Sequence, residues 1–262
     1  MELILSSAGS YPRIGDAPDL QRHRRAYAQR ERGEISPGEF TSVEDEVVTG
    51  VIREQIEAGM EIVTDGLVRW YDPYSHFCRG LEGATINGLL RLFDTNVYFR
   101  QPVVKGPIRR PSAIIVPEYK FARSVSPRPV KPVLTGPYTL ARGSILEGGY
   151  RSIHDLALAY ALALAAEVRE LSGAGAQLIQ IDEPAIVRHP EDLNVLEGAL
   201  AVVGRERGRR GSSSTSPSGT SPRSTGTSRP FRWMRWAWTS PTARSSPRSS
   251  PIWGRRNRWL SA

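Results

Sequence analysis

Thiol chemistry is almost missing from this sequence: one of its 262 residues, Cys78, is a cysteine. A single cysteine excludes an internal disulfide framework and leaves no second thiolate to complete a sulfur-rich metal site. The expectation is a reducing compartment, the cytoplasm. Long apolar runs are missing too. No stretch reaches the roughly 20 apolar residues that a membrane-spanning helix needs, and Met1-Glu2-Leu3-Ile4-Leu5 is too short to read as a secretory signal. No membrane partner is expected. Acidic residues are missing from one end only. Beyond Glu206 there is no Asp, Glu or Lys, yet twelve arginines occur there. The formal net charge of +8 belongs to that end, because the first 206 residues carry 23 basic against 27 acidic side chains, a balance of −4. Nucleic-acid binding by the main part of the chain is therefore not expected.

What is present is an alternation of short β-rich runs with helical connections. Residues 3–8 read as a strand, broken by Gly9 and Pro12, which puts Ser10 and Arg13 on the loop beyond it. The charged stretch 18–35 predicts a surface helix ending near Gly33. A second helix is expected from Thr41, with Ser42 as its cap and Asp45 three residues on. Its apolar face would be Val47, Val48, Val51, Ile52, Ile56 and Met60. Residues 61–66 and 130–137 read as further strands. The clearest helix covers 149–173, capped by Ser152 with Asp155 and burying Ile153, Leu156, Ala157, Tyr160, Leu164 and Val168. Residues 67–129 form a long excursion containing Tyr71-Asp72-Pro73-Tyr74 and Phe93-Asp94-Thr95-Asn96. Two readings fit it: a loop whose Asp72 and Asn96 contact substrate, or a hairpin lid turning at Asp94 and Asn96.

The alternation culminates in Gln177-Leu178-Ile179-Gln180-Ile181-Asp182-Glu183-Pro184. Leu178, Ile179 and Ile181 suit a buried strand, and Pro184 cannot continue its hydrogen-bond ladder. Asp182 and Glu183 thus stand where a buried strand opens into a loop. In a (β/α)8 barrel that C-terminal strand end carries the chemistry. Repeated strands with helical crossovers imply a parallel sheet with its functional residues along one edge.

Four of these stretches together resemble the cobalamin-independent methionine synthase family: Gly9-Ser10-Tyr11-Pro12-Arg13-Ile14-Gly15, Phe93-Asp94-Thr95-Asn96, Thr135-Gly136-Pro137 and Ile181-Asp182-Glu183-Pro184. Their order and strand-end placement match over roughly the first 190 residues. The resemblance implies an α/β fold, a (β/α)8 TIM-type barrel, and transfer of a methyl group from a methylated folate to the thiol of homocysteine. It implies that Ser10 lies on the loop holding the amino-acid substrate and that Asp182, the expected catalytic residue, contacts the substrate amine or the pterin. Asp72, Asn96 and Glu183 are further candidates for substrate binding. Leu67 stands where the family's catalytic barrel carries a glutamate, and Tyr138-Thr139-Leu140 where it has an aromatic for the folate. The Pro12–Gly15 and Phe93–Asn96 forms look more like the family's amino-terminal barrel, which holds no zinc.

Zinc is the family's means of keeping homocysteine deprotonated, through a His-x-Cys pair, a glutamate and a second cysteine on strands after the Asp-Glu-Pro strand. This sequence has no cysteine there. His76-Phe77-Cys78 has ligand-like spacing but lies on a different loop, so zinc is expected for the family and its ligands are not expected in this chain. The composition also changes after Glu206. Residues 207–262 hold five of the six tryptophans and fourteen serines without helical or strand period, which reads as a disordered tail. The genetic code offers another reading. Joining the last base of each codon to the first two of the next turns Trp233-Met234 into Asp, Met234-Arg235 into Ala where Arg235 is encoded by a CGN codon, Trp236-Ala237 into Gly and Trp238-Thr239 into Asp, with apolar residues between. That shifted peptide has the pattern of a buried barrel strand. The expected organisation is a partial barrel over 1–206, truncated after about four strands, and an out-of-frame Arg/Ser/Trp-rich tail over 207–262. Expected partners are homocysteine and a methyl-folate or methyl-corrinoid. The alternatives are a non-catalytic folate- or corrinoid-binding barrel and RNA binding through the basic tail.

Overall fold

The computed structural model describes residues 3–11, 21–91 and 98–205. In chain order its helices are α1 (Arg22–Glu31), α2 (Pro37–Glu57), α3 (Ser75–Cys78), α4 (Val116–Val125), α5 (Pro137–Gly143), α6 (Ile153–Gly173) and α7 (Leu193–Arg205). Its strands are β1 (Glu82–Arg91), β2 (Tyr98–Arg109), β3 (Val133–Thr135), β4 (Ile145–Leu146) and β5 (Gln180–Asp182).

Four extended segments lie side by side in the order in which the chain makes them, all parallel. Ser6 bridges Ile62, Val63 bridges Val130, and β3 pairs with β5 in the register Val133↔Gln180, Leu134↔Ile181, Thr135↔Asp182. Parallel neighbours in chain order require a crossover between each pair, and α2, α4 and α6 supply them. The expected α/β alternation is thus present over the described residues. Any strand beyond the fourth would fall in residues 206–262, outside them. The first segment is less regular than expected. Only Ser6 is bridged, and Leu3, Ile4 and Leu5 are 71%, 58% and 52% exposed, the condition of an edge with no outer neighbour among the described residues.

The core lies between the sheet and its crossovers. α6 contributes Leu156, Ala157, Tyr160, Leu164 and Val168, α2 contributes Val48, Val51 and Ile52, and the strands contribute Val63, Leu134 and Ile179. The expected face of α6 is therefore the buried one, with Ile153 packed at its margin. Ser152 caps α6 as expected, its hydroxyl accepting from the Asp155 amide. The strand end at Thr64 is held by a side chain rather than by a neighbouring ladder. Buried Gln55 of α2 accepts from the Thr64 amide at 3.0 Å and donates to the Thr64 carbonyl at 2.8 Å, so both backbone groups are satisfied.

The start of α2 differs from expectation. Its N-cap is Ser36, followed by Pro37 at the first helical position, whereas Ser42 lies inside the helix with its hydroxyl donating to the Gly38 carbonyl. Ser36 and Glu39 form a complete capping box: Ser36 Oγ accepts from the Glu39 amide at 3.2 Å, and the Ser36 amide donates to Glu39 Oε2 at 2.7 Å. That reciprocal pair, with a proline that cannot lie deeper in the helix, outcompetes the looser Ser42/Asp45 spacing. Ser36→Ala should cost about 1 kcal/mol. A drop in the urea midpoint at unchanged slope would register it, and a change below about 0.3 kcal/mol would show the box to be dispensable.

The excursion after the second segment is a hairpin. β1 and β2 pair antiparallel, with register shifts at Gly83 and between Ile86 and Leu89, and β2 continues parallel onto β4 through Val103↔Ile145 and Val104↔Leu146. The hairpin reading of the sequence holds for the described strands. The expected turn residues Asp94 and Asn96 lie outside the described residues.

Candidate functional site

Polar side chains that are distant in sequence meet around the C-terminal end of the first segment and the loop that follows it. Lys131, buried just before β3, donates through Nζ to the Ser7 carbonyl at 2.8 Å. Gln180 at the start of β5 donates through Nε2 to the Ala8 carbonyl at 2.7 Å and to Asp182 Oδ1 at 2.8 Å. Thr64 Oγ1 donates to the Gly9 carbonyl at 2.8 Å, and the Tyr11 amide to the Gly66 carbonyl at 3.0 Å. The loop after the first segment is therefore fastened on both sides of Ser10, which is itself exposed. Gly9, at φ 135°, permits this bend, and its missing Cβ leaves room for Val133.

The two carboxylates at the end of β5 have different environments. Asp182 is half-buried and accepts one side-chain hydrogen bond among the described residues, from Gln180. Burial raises its pKa, while the Gln180 bond and the Lys131 charge oppose that rise. Glu183 is buried and saturated. Its Oε1 accepts from the Tyr138 amide at 3.0 Å and its Oε2 from the Thr139 amide at 2.7 Å, so it closes the first turn of α5. Gly136 makes that approach possible, since a Cβ there would overlap the Glu183 carboxyl group. Burial pushes the Glu183 carboxyl up to about 7, with the adjacent Asp182 adding to the rise and the hydrogen bonds from α5 opposing it.

Asp72 is also saturated. Its carboxylate accepts from the amides of Tyr74 (2.8 Å), Ser75 (2.6 Å) and Arg100 (2.9 Å) and from the Ser75 hydroxyl (2.5 Å). It thereby fastens α3 to β2. The Thr135 hydroxyl donates to the Pro73 carbonyl at 2.6 Å and draws the same loop over the end of β3. Asn96 lies outside the described residues. Of the five residues expected at the site, Asp182 and Glu183 share one strand end, Ser10 lies on the loop tied to it, and Asp72 stands in the overlying loop.

One acid at this edge was not singled out from the sequence. Asp65 ends the second segment, is buried, and has its carboxyl pushed up to about 6. Desolvation is the main cause and the nearby Glu118 adds to it, against the Leu67 amide, His76 and Arg69. Its signal was available: like Asp182, it is the first acid after a β-rich run and precedes a chain-breaking residue. The next turn is tight. Leu67, where the resemblance expects a glutamate, has φ 52°, a left-handed backbone that a branched side chain seldom adopts.

His76 and Cys78 do not cooperate. His76 Nε2 lies 2.9 Å from Glu118 and its ring stacks on Trp70 with centroids 5.1 Å apart. Cys78 is fully buried, its Sγ 3.6 Å from the Tyr160 hydroxyl, and burial pushes its thiol up to about 12. A thiol held in that state is a poor metal ligand. Among the described residues no three His, Cys, Asp or Glu side chains are grouped to hold a metal ion, so the donor set described does not fit the family's zinc. None of the described helices is long and apolar enough to cross a membrane.

Known proteins resemble the chain over this same region. The family described as "Cobalamin-independent synthase, Catalytic domain" matches residues 7–194. The methionine synthase of Sulfurisphaera tokodaii is 35% identical over 191 residues, 72% of this chain and 55% of that protein. The 5-methyltetrahydropteroyltriglutamate–homocysteine methyltransferase of Candida albicans is 33% identical over 204 residues, 77% of this chain and 24% of that protein. A B12-independent methionine synthase from Shewanella sp. W3-18-1, solved with selenomethionine, shares the fold with a TM-score of 0.63 at 24% identity, over 78% of this chain and 57% of that one. The chain thus spans about half the length of such relatives, or less. The match is to the catalytic domain, which corrects the leaning of the Pro12–Gly15 and Phe93–Asn96 forms toward the amino-terminal barrel.

Proposed function

Because the chain belongs to the cobalamin-independent methionine synthase family, we propose that the polar cluster at its strand ends binds the small-molecule substrates of methyl transfer from a methylated folate to homocysteine. The observation that supports this reading best is Asp182: a half-buried carboxylate at a parallel strand end, oriented by Gln180 and with hydrogen-bonding capacity left over. Such a group binds an ammonium ion or the N–H groups of a pterin ring through charge-assisted hydrogen bonds. Glu183 and Asp72 act through the backbone, holding α5 and the overlying loop in place around it.

In the reaction, the homocysteine sulfur attacks the methyl carbon, the S–C bond forms as the N–C bond breaks, and the electron pair goes to the folate nitrogen. The attacking sulfur must be a thiolate. The described residues do not fit the zinc that the family uses for this, so the proposal for this chain as it stands is binding without turnover. Residues 207–262 are read as a frameshifted continuation in place of the barrel's second half. Resequencing across the codons for residues 200–217 tests that part directly: an intact frame would sink it.

The functional test is calorimetric titration of the full chain with homocysteine and with a methylated folate, alongside an assay for methionine. Asp182→Asn should weaken binding of the ligand it contacts by about tenfold or more, since one charge-assisted bond is lost. Equal binding to wild type and Asp182→Asn would refute the assignment of Asp182. Methionine formation by the purified chain would overturn the expected inactivity.

A further inference from the structure

One face of the β3–β5 pair carries a buried cation close to the strand-end acids. The two strands pair in the register Val133↔Gln180 and Thr135↔Asp182, and side chains two residues apart on a strand share a face. Lys131, Val133 and Thr135 therefore line up alongside Gln180 and Asp182, while Leu134, Ile179 and Ile181 turn the other way, toward the main core. The contacts agree. Lys131 Nζ donates to the Ser7 carbonyl at 2.8 Å, and Gln180 Nε2 donates to the next carbonyl, Ala8, at 2.7 Å and to Asp182 Oδ1 at 2.8 Å. Gly9 stands over the same face, where a Cβ would lie 3.3 Å from Val133.

Lys131 is only 7% exposed. A buried ammonium has three donors and a full charge to satisfy, and an unbalanced charge in such a place is costly. The Ser7 carbonyl takes one donor. Asp182 answers the charge: burial raises its pKa and Lys131 pulls it back down. Glu183, the next residue, is the like-charged neighbour, but its carboxylate is turned to the amides of α5. Asp65 is set among Glu118, His76 and Arg69 instead. From the first segment, the Ser7 and Ala8 carbonyls are the groups that Lys131 and Gln180 meet.

We propose that Lys131 is a positioning residue for Asp182: its buried ammonium keeps the Asp182 carboxyl ionised in a desolvated place, and its bond to Ser7 ties the Ser10 loop to the same strand face. This role presupposes that Asp182 binds the ligand, as proposed above. A neutral carboxyl group there would turn one acceptor oxygen into a donor and would lose the charge assistance that an ammonium or a pterin N–H group needs. Lys131 touches no ligand in this role; it acts through Asp182.

Carbon-13 NMR of the full chain, labelled at the aspartate carboxyl groups, follows Asp182 through a pH titration without any ligand; its signal is the one lost in Asp182→Asn. In Lys131→Gln, which keeps a donor but no charge, and in Lys131→Met, the Asp182 midpoint should rise by about one pH unit or more. Lys131→Arg keeps the charge and should hold the midpoint within about 0.3 pH unit of wild type. The pH at which homocysteine binding reaches half its plateau should rise with the midpoint. A lysine with a purely structural role would instead lower stability, or affinity at every pH alike, and leave the midpoint where it was. The proposal is overturned if the midpoint moves by less than about 0.3 pH unit in the charge-removing variants that fold, or if Lys131→Arg raises it as much as Lys131→Gln does. If the midpoint rises but homocysteine binds neither wild type nor variant, the methyl-transfer reading fails and the pairing of Lys131 with Asp182 stands.

Discussion

Glu167→Ala is expected to remove about 3–5 kcal/mol of folding stability. Glu167 lies on α6 with no solvent exposure, yet its carboxylate is fully engaged. Oε1 accepts from the amides of Ile114 (3.1 Å), Ile115 (2.6 Å) and Val116 (2.9 Å), and Oε2 meets the Arg110 guanidinium. Those amides open α4, where a helix has no internal acceptors for its first N–H groups. One side chain therefore satisfies the helix start, faces the positive end of its dipole and pins the excursion to α6. Glu170 also pairs with Arg110, at 2.9 Å, so the stranded amides account for most of the expected loss. Two further variants separate the contributions. Glu167→Gln keeps one acceptor and should recover part of the stability. Arg110→Met combined with Glu167→Ala removes the buried cation but leaves the amides unpaired, and should recover less than half. Urea unfolding measures all three; a loss below about 1 kcal/mol for Glu167→Ala would mean that water satisfies these amides.

Stability is expected to decline as pH rises from about 5 to about 8. Glu183 has an ordinary value of 4.5 and is pushed up to about 7 in the folded chain, chiefly by burial. Below 4.5 both states are protonated and the advantage of the folded state is complete. Between 4.5 and 7 the folded state keeps a proton that the unfolded chain has released, so each rise in pH works against folding. Above 7 the contribution is lost. The effect of this one group is about 3 kcal/mol across the window. Asp65, raised from 3.8 to about 6, and Asp182, also raised, have the same sign. Glu183→Gln should flatten the curve between pH 5 and 7, at the cost of one amide N–H placed against a backbone donor of α5. Denaturant unfolding at several pH values decides it. Stability that increases from pH 5 to 8, or an unchanged slope in Glu183→Gln, would rule out a buried Glu183 as the cause.

Much of the scaffold was legible because its signals are local. The Ser152 cap with Asp155 and the apolar spacing of Leu156, Tyr160, Leu164 and Val168 lie within a few turns of one another, and α6 follows them closely. Asp182 was found for the same reason, as the acid that ends a β-rich run before a proline. The missed cap at Ser36 was local too; two capping patterns competed, and the reciprocal bonds with Glu39 prevailed. Asp65 carries the same strand-exit signal as Asp182, but it is followed by Gly66, a common turn residue, where Asp182 leads into Glu183 and Pro184.

The sequence by itself determined the alternation of strands and crossovers, the strand-end position of Asp182 and Glu183, and the family, because helical and strand periods and short motifs act over a few residues. Only the tertiary structure decided what each carboxylate does. Glu183 meets amides 44 and 45 residues away, Asp72 an amide 28 away, and Glu167 amides more than 50 away. Packing makes those encounters, and no local pattern encodes them. The same holds for His76 and Cys78: their spacing suggested a shared ligand, but their side chains enter different surroundings, one polar beside Glu118 and one sealed against Tyr160. Residue type limits the chemistry a side chain can do. Burial and the partner brought to it by the fold select which chemistry it does.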